Sequence, residues 1–229
     1  MIDFYYNLGP NPMKVALFLE EAGLDYRPIP VDMLRGDQFD ADFTRLNPNN
    51  KVPVIVDDGK VVFDSNAILL YLGERHGRFL GDPDRRGELL SWLMFVASGI
   101  GPYSGQAVHF RHYAPEPKQY GVDRYLFEAK RHYDIIDKRL AQQEWMLGDD
   151  YTILDMALWG WARNIAHVIG PEEAAGLVHL SAYLGRLSER PAAKRVEQLR
   201  QRHDFTGVMD DLARLRLFGH LRSQANPTV

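Results

Sequence analysis

Val52-Pro53 and Asp64-Ser65 bracket the stretch of this chain with the most chemical promise, residues 50–71, which reads as strand, turn, strand and helix start. The layout suits holding a small extended peptide that ends in a carboxylate. Backbone at a strand can pair with an extended peptide. A helix beginning at Ser65 offers free N–H groups and the positive end of its dipole to an anion. Both pairs also suit plainer roles, a proline at a strand start and an ordinary helix cap preceded by an acid, worth about 1 kcal/mol. A second fact is an absence: the sequence has no cysteine. Disulfides, thiolate metal ligands and a cysteine nucleophile are therefore excluded from the protein itself.

These residues must be positioned by the elements around them. Residues 2–6 are aromatic and β-prone, and residues 7–12 form a turn cluster of Asn, Gly and Pro. Residues 13–22 are almost continuously apolar, with Pro12 near the first turn and Gly23 after the last, which predicts a buried helix. Residues 26–31 predict a second strand, held to a sheet edge by Pro28 and Pro30. A loosely structured stretch follows. Then come strands over 52–56 and 60–63 joined by Asp57-Asp58-Gly59, and a helix capped by Ser65 that runs to about Arg75. Residues 77–83 read as a linker.

Beyond the linker every segment has helical period. Residues 86–97 and 123–140 carry apolar side chains at three- and four-residue steps. Thr152-Ile153-Leu154-Asp155 is a capping box opening a helix through Ala166. Shorter helices are expected at 180–188 and 191–200, an amphipathic helix at 210–221, and a disordered tail at 223–229. The fold class is thus a mixed-sheet α+β domain of order βαβ-ββα, followed by an all-α domain. The boundaries are 1–76, a linker at 77–83, helices over 84–205, and a C-terminal extension at 206–229.

The 229 residues carry a net charge of −4, which argues against nucleic acid binding driven by bulk charge. There is no basic segment followed by an apolar run at the start, so no signal peptide is expected. No stretch approaches the about 18 apolar residues of a membrane span. A cytoplasmic location fits the cysteine count.

This arrangement resembles the cytosolic glutathione transferases over roughly residues 1–205. The resemblance rests on Asn50-Lys51-Val52-Pro53, Asp64-Ser65 with its apolar helix, and Tyr151-Thr152-Ile153-Leu154-Asp155, in that order and at these spacings. Within that family the chain is most similar to the bacterial Nu-type group, which reduces glutathione-linked disulfides. That finer similarity rests on Pro10-Asn11, Gln38 after Gly36, Asn49-Asn50-Lys51, and Gly105-Gln106 followed by His109-Phe110.

The resemblance implies a thioredoxin-like first domain that binds glutathione. The proline matching Pro53 is cis in the family, which would turn the backbone of Val52 toward the cysteinyl residue of the ligand. Ser65 would bind the γ-glutamyl carboxylate, and Asp64, where relatives more often have Glu, would pair with the γ-glutamyl ammonium. Gln38 and Lys51 would reach the glycyl end; on their own both read as solvated surface residues. Arg131 would face bound glutathione, although Lys130, Lys138 and Arg139 on the same segment equally suit a solvated basic face.

The thiol site departs from the family. Nu-type members typically have Thr where this chain has Gly9, and no hydroxyl occurs from Asn7 to Pro12. Tyr5 and Tyr6 are nearby, and alternation turns one of them into the core. The residue expected to stabilise a thiolate is Asn11, through its side-chain N–H and the backbone N–H groups at the start of the first helix. Its alternative is a turn residue with an unusual backbone angle.

Tyr103, Tyr113 and Tyr120 are expected at the mouth of a second-substrate pocket, and Trp159 and Trp161 as core and rim packing. His109 and His112 are spaced to share a helix face, but no further ligand stands at metal spacing, so no metal is expected. The expected function is therefore that of a glutathione transferase, homodimeric by family resemblance. It would use bound glutathione thiolate for disulfide reduction, for conjugation to a small electrophile, or for both. The alternatives are a non-catalytic glutathione-binding or regulatory protein, and a glutathione-dependent lyase or isomerase of aromatic compounds.

Overall fold

The computed structural model describes residues 1–114 and 118–222; the expectation for residues 223–229 lies outside them. The first part of the chain contains β1 (Ile2–Tyr6), α1 (Pro10–Ala22), β2 (Tyr26–Pro30), α2 (Ala41–Leu46), β3 (Val54–Asp57), β4 (Lys60–Phe63) and α3 (Ser65–His76). The strands form one mixed sheet in the order β2-β1-β3-β4. β1 is parallel to β2 and antiparallel to β3, and β3 pairs antiparallel with β4. β2, with its two prolines, takes the edge that the sequence predicts.

The remainder is helical: α4 (Arg86–Phe95), α5 (Gly101–Val108), α6 (Gln119–Leu140), α7 (Ile153–Ala162), α8 (Ile165–Ile169), α9 (Pro171–Gly176), α10 (Val178–Ser188), α11 (Pro191–Glu197) and α12 (Asp211–Arg222). The expected fold class is observed. Among the described residues no helix is long and apolar enough to cross a membrane.

Burial explains the composition of α1. Every residue from Met13 to Leu19 is buried, because α1 lies between α3, α7 and α11 and its apolar side chains share one core with Phe4, Tyr6 and Ile55 of the sheet. Such a helix reads as a continuous apolar run rather than an amphipathic stripe. Lys14 is the exception in that run. On α7, Gly160 permits the approach of α1: a Cβ there would come within 2.5 Å of the Pro10 carbonyl oxygen and against the Lys14 stem.

Two local expectations are corrected. The stretch between β2 and β3 contains α2, whose six residues span less than two turns and leave little periodicity to read. Its Phe43 packs with Val31, Val52 and Val54 on the second face of the sheet, and so anchors the chain just before β3. The cap of α3 is Asp64 rather than Ser65: Asp64 Oδ1 accepts the N–H groups of Asn66 and Ala67 at 2.9 and 3.1 Å. Both residue types are favoured caps, and backbone geometry decides between them. Asp64 has φ 71°, outside the helix, while Ser65 is its first residue.

The expected capping box opens α7. Thr152 Oγ1 accepts from Leu154 N, and Asp155 Oδ2 accepts from Thr152 N at 2.8 Å. Asp155 is fully buried and also receives Met146 N and the Tyr183 hydroxyl, which ties α7 to the preceding loop and to α10.

Candidate active site

A cavity of about 470 Å³ lies between the first domain and the start of α5. Asn11, Lys51, Val52, Pro53, Asp64 and Ser65 all line it, so six of the residues singled out from sequence meet in one place. The Val52-Pro53 peptide is cis. The loop before it is stapled in position: Asn47 Nδ2 donates to the Lys51 carbonyl at 2.7 Å, Asn47 Oδ1 accepts Asn49 N, and Thr44 Oγ1 donates to Asn50 Oδ1. On the opposite side, the wide helical turn Val96–Ile100 and the start of α5 supply Val96, Ala97, Gly101 and Pro102.

Asn11 lies at the first turn of α1. Pro10 and Pro12 flank it and have no N–H, and Asn7 Oδ1 takes the N–H of Gly9 at 2.9 Å. The several backbone donors expected at this helix start thus reduce to the N–H of Asn11. The side chain of Asn11 is oriented from the second domain. Trp161 Nε1 donates to Asn11 Oδ1 at 3.0 Å. An indole N–H only donates, so the amide must present its oxygen to Trp161 and keep the Nδ2 donors for elsewhere. Trp161 is therefore more than rim packing. Its ring fits because α5 has Gly101 and Gly105 beside it, where a Cβ would lie 3.3–3.5 Å from the indole.

Neither tyrosine of β1 reaches the cavity. Tyr6 is the one turned into the core, where its hydroxyl contacts His203 Nδ1 at 2.9 Å and burial raises its pKa. Tyr5 packs on Phe43.

Two other expected contacts are not brought to the cavity of their own chain. Gln38 is buried in the turn Asp37–Phe39, with its Oε1 unpartnered among the described residues. The loop around it folds inward through Asp32, whose carboxylate accepts Leu34 N and Thr206 N. Arg131 pairs with Glu128 one turn earlier on α6, and Arg124 pairs with the same carboxylate.

The sequence reading missed Lys14, which also lines the cavity. Its Nζ donates to Ser65 Oγ at 3.3 Å and to Asn66 Oδ1 at 3.5 Å. Burial pushes this ammonium down to about 7, with Asp64 pulling the other way. A lysine inside an apolar helical run was the available signal.

A second cavity of about 800 Å³ adjoins the first at Lys51. Its walls include Gln106, His109, Tyr113, Trp161, Leu217 and Phe218. Of the three tyrosines expected there, Tyr113 is present; Tyr103 stacks on His132, and Tyr120 is 83% exposed. His109 faces this cavity with its pKa lowered by burial, whereas His112 stacks on His167 at 4.2 Å. Among the described residues no three His, Cys, Asp or Glu side chains are grouped to hold a metal.

Comparison with known proteins decides the family. Residues 2–74 match the glutathione S-transferase N-terminal domain, and residues 119–195 match the glutathione S-transferase C-terminal domain. The chain belongs to the glutathione S-transferase family. Disulfide-bond oxidoreductase YfcG of Escherichia coli (strain K12) is 46% identical over 171 residues, covering 71% of this chain and 80% of that protein. Disulfide-bond oxidoreductase YghU of the same organism is 38% identical, covering 87% of this chain and 79% of that protein. Both names agree with the disulfide-reducing group that the sequence resembles.

Among solved structures, a Burkholderia graminis glutathione transferase with two glutathione molecules bound per subunit superimposes with a TM-score of 0.82. The two are 37% identical, over 88% of this chain and 89% of that one. A Pseudomonas putida glutathione transferase holding one glutathione disulfide per subunit gives a TM-score of 0.79 at 35% identity, over 85% and 90% of the two chains. In this transferase, the cavity between Asn11 and Ser65 is accordingly the candidate glutathione site.

Proposed function

We propose that this transferase catalyses thiol–disulfide exchange in which glutathione supplies both thiols. The observation that carries this reading is the meeting of Asn11, Lys51, Val52, Pro53, Asp64 and Ser65 in one cavity of a chain without cysteine. Glutathione lies along Val52, its γ-glutamyl end at Asp64 and Ser65, its glycyl end toward Lys51, and its sulfur near Asn11. The amide of Asn11 stabilises the thiolate. That thiolate attacks one sulfur of the substrate disulfide; the S–S bond breaks, one substrate thiolate leaves, and a mixed disulfide forms. A second glutathione thiolate, entering through the adjoining cavity, attacks the mixed disulfide. It releases the other substrate thiol and glutathione disulfide, so two glutathiones supply the two electrons. The cytosol, rich in reduced glutathione, is the compartment that suits this chemistry.

The active form is proposed to be a two-fold dimer. Support comes from β4, an edge strand whose Val61 and Phe63 are 42% and 44% exposed, with Phe63 also at the cavity wall. Sedimentation velocity should give twice the chain mass.

The deciding experiment is reduction of hydroxyethyl disulfide by glutathione with the purified chain. One glutathione disulfide per disulfide consumed is expected. Absence of that product from several disulfides, with turnover of small electrophiles, would move the function to conjugation. A second reading, a glutathione-binding protein without catalysis, is favoured by Gly9, which leaves the turn without a hydroxyl. Binding of reduced and oxidised glutathione without any turnover would select it.

A further inference from the structure

Lys14 is 1% exposed, and it is the one lysine or arginine buried to this degree among the described residues. Its environment is unsuited to a lone cation. The two atoms it donates to, Ser65 Oγ and Asn66 Oδ1, are neutral, at the long distances of 3.3 and 3.5 Å. No carboxylate forms an ion pair with it among the described residues. It also lies at the N-terminus of α3, where the carboxylate of Asp64 is engaged in capping the helix through Asn66 N and Ala67 N. A buried charge without a partner costs free energy unless something pairs with it. Yet its position is built for a lysine. The stem crosses α7 at Gly160, where any Cβ would press on Lys14 Cγ and come within 3.2 Å of Cε, and the side chain ends at the cavity wall.

We propose that Lys14 is a ligand-binding residue whose ammonium pairs, beside Ser65, with the α-carboxylate at the γ-glutamyl end of glutathione, so that the ligand enters together with a proton taken up by the lysine. This rests on glutathione being the occupant of the cavity. The carboxylate fits between two donors, Lys14 Nζ and the N–H of Ser65, since Asp64 already takes the N–H groups of Asn66, Ala67 and Ile68. With Lys14 donating to Ser65 Oγ, the Ser65 hydroxyl proton is free to meet the same carboxylate.

Burial lowers the lysine to about 7, and a carboxylate alongside would hold it charged. The charged groups around it are few. Asp64 faces it from the start of α3, and Lys51 shares the cavity. α7 presents Gly160. On α11, Lys194, Arg195 and Glu197 are paired with Glu189, Glu20 and Arg200.

The test is isothermal titration calorimetry with S-methylglutathione, which has no thiol proton to release. Titrations at pH 7.5 in phosphate and in Tris read proton uptake from the difference in apparent heat. Wild type should take up a measurable fraction of a proton and bind more weakly as pH rises from 6.5 to 9. Lys14→Met keeps the stem against Gly160; it should lose the uptake and bind about 10- to 100-fold more weakly, the worth of a hydrogen bond to a charged group. Lys14→Gln serves if the Met variant fails to fold.

The S-methyl derivative of 4-aminobutanoyl-cysteinyl-glycine, which lacks only the α-carboxylate, should bind wild type and Lys14→Met alike and without proton uptake. Unchanged affinity and proton uptake in the lysine variants would overturn the proposal while leaving the glutathione site intact. No binding of S-methylglutathione or glutathione to wild type would remove the site assignment, and Lys14's role with it.

Discussion

Trp161 and Asn11 are joined by a 3.0 Å hydrogen bond that crosses from α7 to the first turn of α1. The donor-only indole settles which end of the Asn11 amide is left for a ligand. Trp161→Phe keeps the ring between Gly101 and Gly105 but frees Asn11 to rotate. We expect Asn11→Ala to slow thiol transfer by about 10- to 100-fold, the value of one hydrogen bond to a charged sulfur. Trp161→Phe should give a smaller loss of the same kind, with a raised thiol pKa in bound glutathione, read by thiolate absorbance against pH. In the Asn11→Ala background Trp161→Phe should add nothing. An additive loss would show that Trp161 acts by packing alone.

Gly9 adopts φ −70° and ψ 167°, a backbone open to any residue. A Cβ at Gly9 would meet only the end of the Asn7 side chain, at 2.9 Å from Oδ1, so the cost of a side chain there is limited to the one hydrogen bond that Asn7 accepts from Gly9 N. Gly9→Thr should therefore fold with an unchanged melting temperature to within a few degrees. If Asn11 is sufficient to hold the thiolate, the disulfide reduction rate should change by less than about tenfold. A larger gain would mean that the natural chain is tuned for binding rather than turnover.

Much of this site was readable because its parts are contiguous. Val52-Pro53 and Asp64-Ser65 each form a short word at a strand or helix boundary, where local backbone chemistry constrains residue type. The unread parts depend on distance in the chain. Trp161 lies 150 residues from Asn11, and nothing local to either marks the pair. Lys14 sits in an apolar run whose burial on all sides becomes visible only when α3, α7 and α11 close around α1. Arg131 could not be placed from its segment, because Glu128 stands at the spacing that captures it on its own helix. The helical period of residues 86–108 is interrupted by the wide turn Val96–Ile100, so the cavity wall there was not foreseen.

Asp155 should be a major stability determinant. Asp155→Ala removes a helix cap and strands the buried Met146 N–H, so a loss of about 2–5 kcal/mol is expected in urea unfolding. Burial raises its pKa to about 6, above the 3.8 of the unfolded chain. The folded state therefore binds the proton more tightly. The associated stability is complete below pH 3.8 and lost as pH rises through about 6. Asp155→Asn does not titrate, so the stability gap between it and wild type should narrow from pH 4 to pH 7. A gap that widens over this range would contradict the burial assigned to this carboxyl.

Without cysteine in the chain, the proposed chemistry has no protein thiol to block. Incubation with excess N-ethylmaleimide, followed by its removal, should leave at least about nine-tenths of the glutathione-dependent activity. Substantial loss would point to another modified nucleophile and away from glutathione as both thiols.

Gly160 limits how this protein can be recombined with its relatives. At that point α7 meets the Pro10 carbonyl and the stem of Lys14 with no space for a side chain. A helical half taken from a relative with Ala or anything larger there would push α1 off its seat, displacing Asn11 and Lys14 together. The two halves are therefore not interchangeable modules. The space that Gly160 leaves for the Pro10 carbonyl and the Lys14 stem couples them, and shuffled libraries built at the linker should recover function only where this glycine travels with the graft.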